Sequence, residues 1–297
     1  MQTHITVLKD EAVGALAITE SSIVVDATLG AAGHAARIVS RLGTGGIFLG
    51  IDADEHAIAP AQKILGMPQC RMHLVAGNFR NIDSILEPLH TNKVDAILAD
   101  LGWRMEQFSG NGKGFSFQVD EPLIMTYGDP KNYPFTAQDI LNEWKEEDIR
   151  NVLKGYGEER FASRIARAIV AEREHRPIMT TLDLVATIEK AVPGFYKRGR
   201  IHCTTRTFQA LRIAVNDEFA ALEDFIKKSI ALLNPHGRLA IISFHSIEDR
   251  IVKHLFKEYA RDQVGVIHTK KPITASSTEL AINPRARSAK LRVFEKI

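Results

Sequence analysis

Cysteine is nearly missing: Cys70 and Cys203 are the two among 297 residues. Two thiols cannot by themselves build a metal cluster or a disulfide framework, and such usage suits a reducing compartment. No apolar run reaches membrane-spanning length, and Met1-Gln2-Thr3-His4-Ile5-Thr6 has neither a basic n-region nor an apolar h-region. A cytoplasmic chain without a membrane partner is therefore expected. Internal repeats and low-complexity tracts are absent as well. So is a surplus of one charge sign: the net charge is +2, which permits a nucleic-acid partner without demanding one. What remains is an ordinary globular composition, 45% hydrophobic and 25% charged, long enough for one large or two moderate domains.

Against that plain background one stretch stands out, Val24-Val25-Asp26-Ala27-Thr28-Leu29-Gly30-Ala31-Ala32-Gly33-His34. An apolar run ends on an acid, passes a small-residue turn and enters a helix-like segment. A second apolar run, Gly46 to Ile51, then ends on Asp52. Strand, glycine turn, helix, strand and acid form the plan of a nucleotide-type cofactor site, in which backbone approaches the ligand and the later acid accepts ribose hydroxyls. Asp26 bears on which cofactor. A carboxylate just before the turn repels the pyrophosphate of a dinucleotide. It attracts the ammonium and sulfonium of S-adenosylmethionine. The G-x-x-G spacing also departs from G-x-G-x-x-G, so a methyl donor is favoured over NAD.

The first hundred residues alternate strand and helix patterns. Strands are expected at residues 23–27, 47–52, 72–76 and 94–99, with helices near 54–65 and 81–89, which argues for a parallel sheet covered on both faces. From 105 to 131 periodicity stops, and Gly, Ser, Asn, Phe and Pro mark a long loop. Helical patterns follow, with a capping-box signature at Thr136-Ala137-Gln138-Asp139 and another cap at Thr180 to Asp183. Strand character returns at 238–244, then a helix at 248–259 and strands near 264–268 and 290–295. The chain thus leaves an α/β sheet, builds a helical insert and returns: 1–104 as the first part of one domain, 105–205 as loop plus insert, 206–297 as its second part.

Open parallel sheets bind ligands at the carboxyl ends of their strands. Asp52 lies there, as do Gly77-Asn78-Phe79, Asp100-Leu101-Gly102-Trp103 and the segment Phe244 to Arg250. Each has a plainer reading. Asp52 can cap the following helix, Asp26 can bind turn amides, and Phe79 can be a core aromatic. Asp100 can cap a loop, although an acid ending a buried strand is costly without a task. His245 and Glu248 can form a helix N-terminus. Two basic clusters, Lys197-Arg198-Gly199-Arg200 with His202 and Arg206, and Arg285, Arg287, Lys290 and Arg292 with Lys270-Lys271 upstream, together suggest a phosphate-backbone footprint. Trp103, Phe108, Phe115 and Phe117 can stack unpaired bases or form the loop's own small core.

In combination these residues resemble the ribosomal small-subunit RNA cytosine N4-methyltransferases, the RsmH (MraW) family, over nearly the whole chain. The resemblance rests on Asp26-Ala27-Thr28-Leu29-Gly30 with Gly33-His34, Asp100-Leu101-Gly102, Gly114-Phe115-Ser116-Phe117 and Tyr156-Gly157-Glu158-Glu159-Arg160. Its most specific blocks are Phe208-Gln209-Ala210-Leu211-Arg212-Ile213 and Phe244-His245-Ser246-Ile247-Glu248-Asp249-Arg250. It implies a class I, Rossmann-like methyltransferase fold with an inserted all-helical domain. It also implies S-adenosyl-L-methionine contacts at Ala32, Gly33, His34, Asp52, Phe79, Asp100 and Gln107. The implied reaction methylates a cytidine N4 in the decoding region of 16S ribosomal RNA within an assembled small subunit. A homodimer is compatible with it, and no metal is implied. The chain departs from the family at Ala31-Ala32, where glycine is usual, at Trp103-Arg104-Met105, at Lys113 and at Ile124-Met125-Thr126-Tyr127. For the chemistry we expect Asp100, or the backbone carbonyl beside it, to accept from the reacting amine or to hold the donor, Trp103 to stack on the base, His245, Glu248 and Asp249 to position it, and Arg206 and Arg212 to meet phosphate or brace the insert. A methyltransferase on another RNA or DNA amine, a non-catalytic ribosome-assembly binder and, more distantly, an NAD dehydrogenase are the alternatives.

Overall fold

A computed structural model describes residues 5–89, 92–101 and 112–297. Trp103, Phe108 and Gln107 lie outside them. The chain divides into two compact units, one of residues 1–102 with 219–297 and one of residues 103–218.

The first unit is built on a seven-stranded sheet: β1 Ile23–Asp26, β2 Ile47–Asp52, β3 Arg71–Ala76, β4 Val94–Asp100, β5 Leu233–Ser243, β6 Gly265–Ile267 and β7 Lys290–Lys296. Their order is β3-β2-β1-β4-β5-β7-β6. The first five are parallel, and β7 runs antiparallel between β5 and β6. Alternation within each strand feeds two cores. Val24, Phe48, Leu98 and Ile242 enter one, against α1 (Lys9–Ala15), α2 (Gly33–Val39) and α3 (Ile58–Leu65). Val25, Leu49, Ile97 and Ile241 enter the other, against α4 (Ile82–Leu86), α11 (Glu218–Leu232) and α12 (Ser246–Arg261). Burial on both faces explains the near-continuous apolar runs that make these strands visible in the sequence. Strand order reverses at β1, with β2 on one side and β4 on the other. Sheets of this kind bind ligands beyond the strand ends at such a switch point.

The second unit is helical: α5 Ala137–Glu143, α6 Glu146–Gly157, α7 Ala162–Arg173, α8 Thr181–Ala191, α9 Gly194–Lys197 and α10 Thr205–Asn216. Capping boxes open α5, at Thr136 and Asp139, and α8, at Thr180 and Asp183. The unit has its own core of Leu123, Ile140, Ile149, Leu153, Ile165, Leu184, Phe208 and Leu211 among others. Its second boundary falls at 218/219, not near 205. The reason is α10, which buries Phe208, Ala210, Leu211 and Val215 in the helical core rather than against the sheet. Phe115 stacks on Tyr127 with centroids 5.6 Å apart, and Phe117 stacks on His202 at 4.8 Å, so these loop aromatics pack within their own unit.

A donor site at the rim of the parallel sheet

The turn after β1 is held by bonds that the sequence spacing only hints at. Leu29 N donates to Ile51 O and Ala27 N to Leu98 O, each at 2.8 Å, which ties the turn to both neighbouring strands. Asp52 accepts from Gly30 N at 2.7 Å through Oδ2 and from Asp54 N at 2.9 Å through Oδ1. Thr28 Oγ1 accepts from Asp100 N at 2.6 Å. Thr28 is thus a site residue that motif reading passed over; its only signal was its place between Asp26 and the glycines. Gly30 and Ala32 both have positive φ, 50° and 58°. At Ala32 the methyl is fully buried in the core, so packing offsets a conformation that costs a non-glycine residue roughly 1–2 kcal/mol. The atypical alanine therefore keeps a glycine-like turn. Gly33 is needed for space: a Cβ there would stand 1.8 Å from Thr6 Oγ1.

Three carboxylates end three adjacent strands: Asp26 on β1, Asp52 on β2 and Asp100 on β4. Asp26 is 1% exposed. Its Oδ1 accepts from Thr28 N at 3.2 Å, whereas Oδ2 is buried with no hydrogen-bond partner among the described residues. Burial, with repulsion from Asp100 and Asp52 behind it, pushes the Asp26 carboxyl up to about 7. His34 sits on the first turn of α2, and its Nε2 lies 3.0 Å from the Val7 carbonyl. A carbonyl only accepts, so that nitrogen carries the proton. Burial pulls the imidazole down to about 4, leaving the ring neutral. Its Nδ1, 3.7 Å from Asp100 Oδ2, therefore offers a lone pair and not a proton. Phe79, half-buried after β3, packs edge-on against Phe225 with centroids 5.0 Å apart, while Asn78 caps the short helical turn by accepting from Arg80 N.

The structure brings Ala32, Gly33, His34, Asp52 and Asp100 to this rim. The segment after β5 opens a helix. His245 Nδ1 accepts from Glu248 N at 3.3 Å and Glu248 Oε2 accepts in return from His245 N at 3.3 Å, a capping box that opens α12, while the same Oε2 also accepts from Phe244 N at 2.8 Å. Asp249 accepts from Arg292 Nε at 2.6 Å and from Lys290 Nζ at 3.2 Å. Burial alone would raise the Asp249 carboxyl, but these two cations outweigh it and hold it below the ordinary range. Glu248 and Asp249, read from sequence as substrate contacts, thus have their oxygens engaged inside the unit. So do two cations of the C-terminal basic cluster. In the helical unit, Arg212 forms a two-pronged pair with Glu218, at 2.8 and 3.0 Å, and Arg206 donates to Glu158 O at 3.0 Å. The fold also gathers Glu189, His202 and Cys203, with ligand atoms within 4.8 Å of one another, a grouping that sequence spacing conceals.

Which cofactor fits follows from charge. Three carboxylates, one with a buried oxygen that lacks a donor, are hostile to a pyrophosphate and suited to a ligand carrying ammonium and sulfonium groups. A glycine turn at the switch point of a 3-2-1-4-5-7-6 sheet, with this acidic rim, defines a class I, Rossmann-like methyltransferase whose cofactor is S-adenosyl-L-methionine. More narrowly, the chain belongs to the MraW methylase family, which matches it over residues 1–297. Among curated proteins it is 43% identical to the ribosomal RNA small subunit methyltransferase H of Brevibacillus brevis, covering 99% of this chain and 98% of that one. The protein of the same name from Halothermothrix orenii is also 43% identical, with 100% and 99% covered, and one from Clostridium botulinum is 44% identical, with 99% of each covered.

Proposed function

We propose that the chain methylates the exocyclic N4 of a cytidine in the decoding region of 16S ribosomal RNA, acting in the cytoplasm on the assembled small subunit. The observation that carries this reading is the full-length similarity, at 41–44% identity, to proteins named ribosomal RNA small subunit methyltransferase H. The acidic rim supports the donor half of the reaction independently.

When bound, the donor supplies a methyl group on a positively charged sulfur. The residues of the chain do the rest. Asp26, Asp52 and Asp100 balance the donor's positive charge, and the Gly30 to Gly33 turn lets backbone approach it. The N4 lone pair is delocalised into the ring, so the amine must be aligned and its hydrogen held as the nitrogen pyramidalises. Asp100 accepts that hydrogen in this scheme. The unprotonated Nδ1 of His34 beside it leaves the carboxylate's accepting power undiminished. Alignment of the two reactants can supply up to roughly 7–11 kcal/mol of the barrier, and the base must leave its stack to be reached. Gln107 completing the donor site and Trp103 stacking on the base belong to the same proposal, as do His245 at the end of β5 and Arg206 and Arg212 on the insert.

The test is incubation of small subunits lacking the modification with isotopically labelled donor, followed by digestion and mass spectrometry of the nucleosides. One labelled N4-methylcytidine, placed in the decoding region, is expected. Label on another nucleoside would move the substrate to a different RNA amine. Failure of calorimetry to detect donor binding would turn the chain into an assembly binder.

A further inference from the structure

A cavity of about 160 Å³ opens between α12, β6 and β7, and none of its lining residues serves the donor rim. Its apolar lining includes the half-buried Ile267 and the edge of Phe256, itself only 1% exposed, and Lys253, Lys257 and Lys270 line it as well. Lys253 and Lys257 are one helical turn apart on α12 and so share a face. All three lysines are exposed. None of them forms an ion pair among the described residues. The one arginine lining the cavity, Arg292, is spent on Asp249, and Thr269 Oγ1 accepts from Val293 N at 2.9 Å. Three uncompensated ammonium groups beside a small apolar patch form a surface for a ligand with several anionic groups on a weakly polar body. Lys271 continues the positive strip past the cavity.

We propose that this cavity is a second contact for the RNA substrate, taking a nucleotide other than the reacting cytidine. Successive phosphates of the strand lie on Lys253, Lys257 and Lys270, and the sugar or base edge of the nucleotide between them covers Ile267. An RNA chain fits because it repeats a phosphate at every nucleotide, so one strand can meet three separate amines. An acidic protein segment would also match the charges, and it is the outcome that the subunit and oligonucleotide measurements below separate from RNA. The proposal rests on the RNA reading given above, and it reassigns the basic footprint. Lys290 and Arg292 drop out of it because they neutralise Asp249, and the α12 lysines enter it.

The experiment compares the full chain with the K253A/K257A/K270A variant and a K63A control. Binding of a fluorescein-labelled oligouridine is followed by anisotropy over a range of KCl, and methylation of small subunits is measured in parallel. We expect the triple variant to bind the oligonucleotide about tenfold or more weakly at low salt. Each phosphate contact on a single strand contributes about 0.7 to the salt slope, so the slope should fall by about 2. KM for the subunit should rise while kcat and donor affinity stay unchanged, and K63A should match the parent. An unchanged oligonucleotide affinity and slope overturns the proposal. If subunit methylation weakens while oligonucleotide binding does not, the cavity serves a protein partner, and the RNA assignment falls. A parent chain that binds the oligonucleotide but methylates no small subunit removes the substrate reading alone, because the salt slopes still report on the three lysines.

Discussion

Two buried residues of the donor rim titrate in opposite directions. Asp26 has its pKa raised to about 7 by burial, so the folded chain holds a proton between about pH 4 and 7 that the unfolded chain has lost. Its contribution is full below pH 4 and disappears as pH rises to 7, a swing of about 4 kcal/mol at 1.4 kcal/mol per unit. His34 is lowered to about 4, so between pH 6.5 and 4 the unfolded chain binds the extra proton. Its contribution is present above pH 6.5 and is lost as pH falls, a swing of about 3 kcal/mol. In the overlap of the two windows the slopes cancel. D26N should therefore stabilise the donor-free protein by an amount that grows between pH 5 and 7 by about 1.4 kcal/mol per unit, read by urea unfolding. The same variant should bind the donor more weakly at pH 8, where wild-type Asp26 is ionised. H34Q should expose the hidden Asp26 slope, so that stability falls with rising pH between 4 and 6.5; a flat profile would contradict the assignment. D100N should bind the donor more weakly by calorimetry and, at saturating donor, lose about 100-fold or more in single-turnover methyl transfer. The charge of this rim was legible in the sequence because acids ended apolar runs. The neutral state of His34 was not, since it follows from the burial of its ring, which no local pattern around position 34 announces.

At the level of elements, β1 to β4 emerged from apolar runs closed by an acid or a glycine, β5 to β7 from the return of strand character, and the two capping boxes of the insert from Thr-x-x-Asp spacing. The segment after β5 was the ambiguous one. Its Phe-His-Ser-Ile-Glu-Asp-Arg run reads equally well as substrate contact or as helix start, because the same polar side chains serve both. The structure shows the helix start at His245 and Glu248, and the partner of Asp249 lies on β7, beyond the reach of local pattern. That pair carries an energetic consequence. Arg292 is 5% exposed and Asp249 8%. R292M leaves a buried carboxylate with Lys290 alone and should cost about 3 kcal/mol in chemical denaturation. D249N/R292M should recover most of that loss. Equal destabilisation of the single and double variants would mean that Arg292 acts by packing, not by charge.

For the whole molecule, the two-unit plan was legible from the change of period after β4, but its closing boundary was not. The α10 helix is followed directly by α11, which packs on the sheet, and nothing local says that Phe208 and Leu211 face other helices instead. With a core of its own, residues 103–218 expressed alone should show a helical circular-dichroism spectrum and a cooperative urea transition. A gradual, probe-dependent loss of signal would show that the helical core needs the sheet. The pairing of β4 with β5 has a kinetic meaning. Ala96 meets Arg238 and Asp100 meets Ile242 across the entire insert. The contacts of the helical unit are closer in sequence, and local contacts form before distant ones whose loop-closure entropy must be met first. The strand pair that carries Asp100 is thus a late event in folding. In a refolding experiment the helical signal should return ahead of donor binding, and a variant that slows the insert should delay the appearance of a donor site to which it contributes no carboxylate.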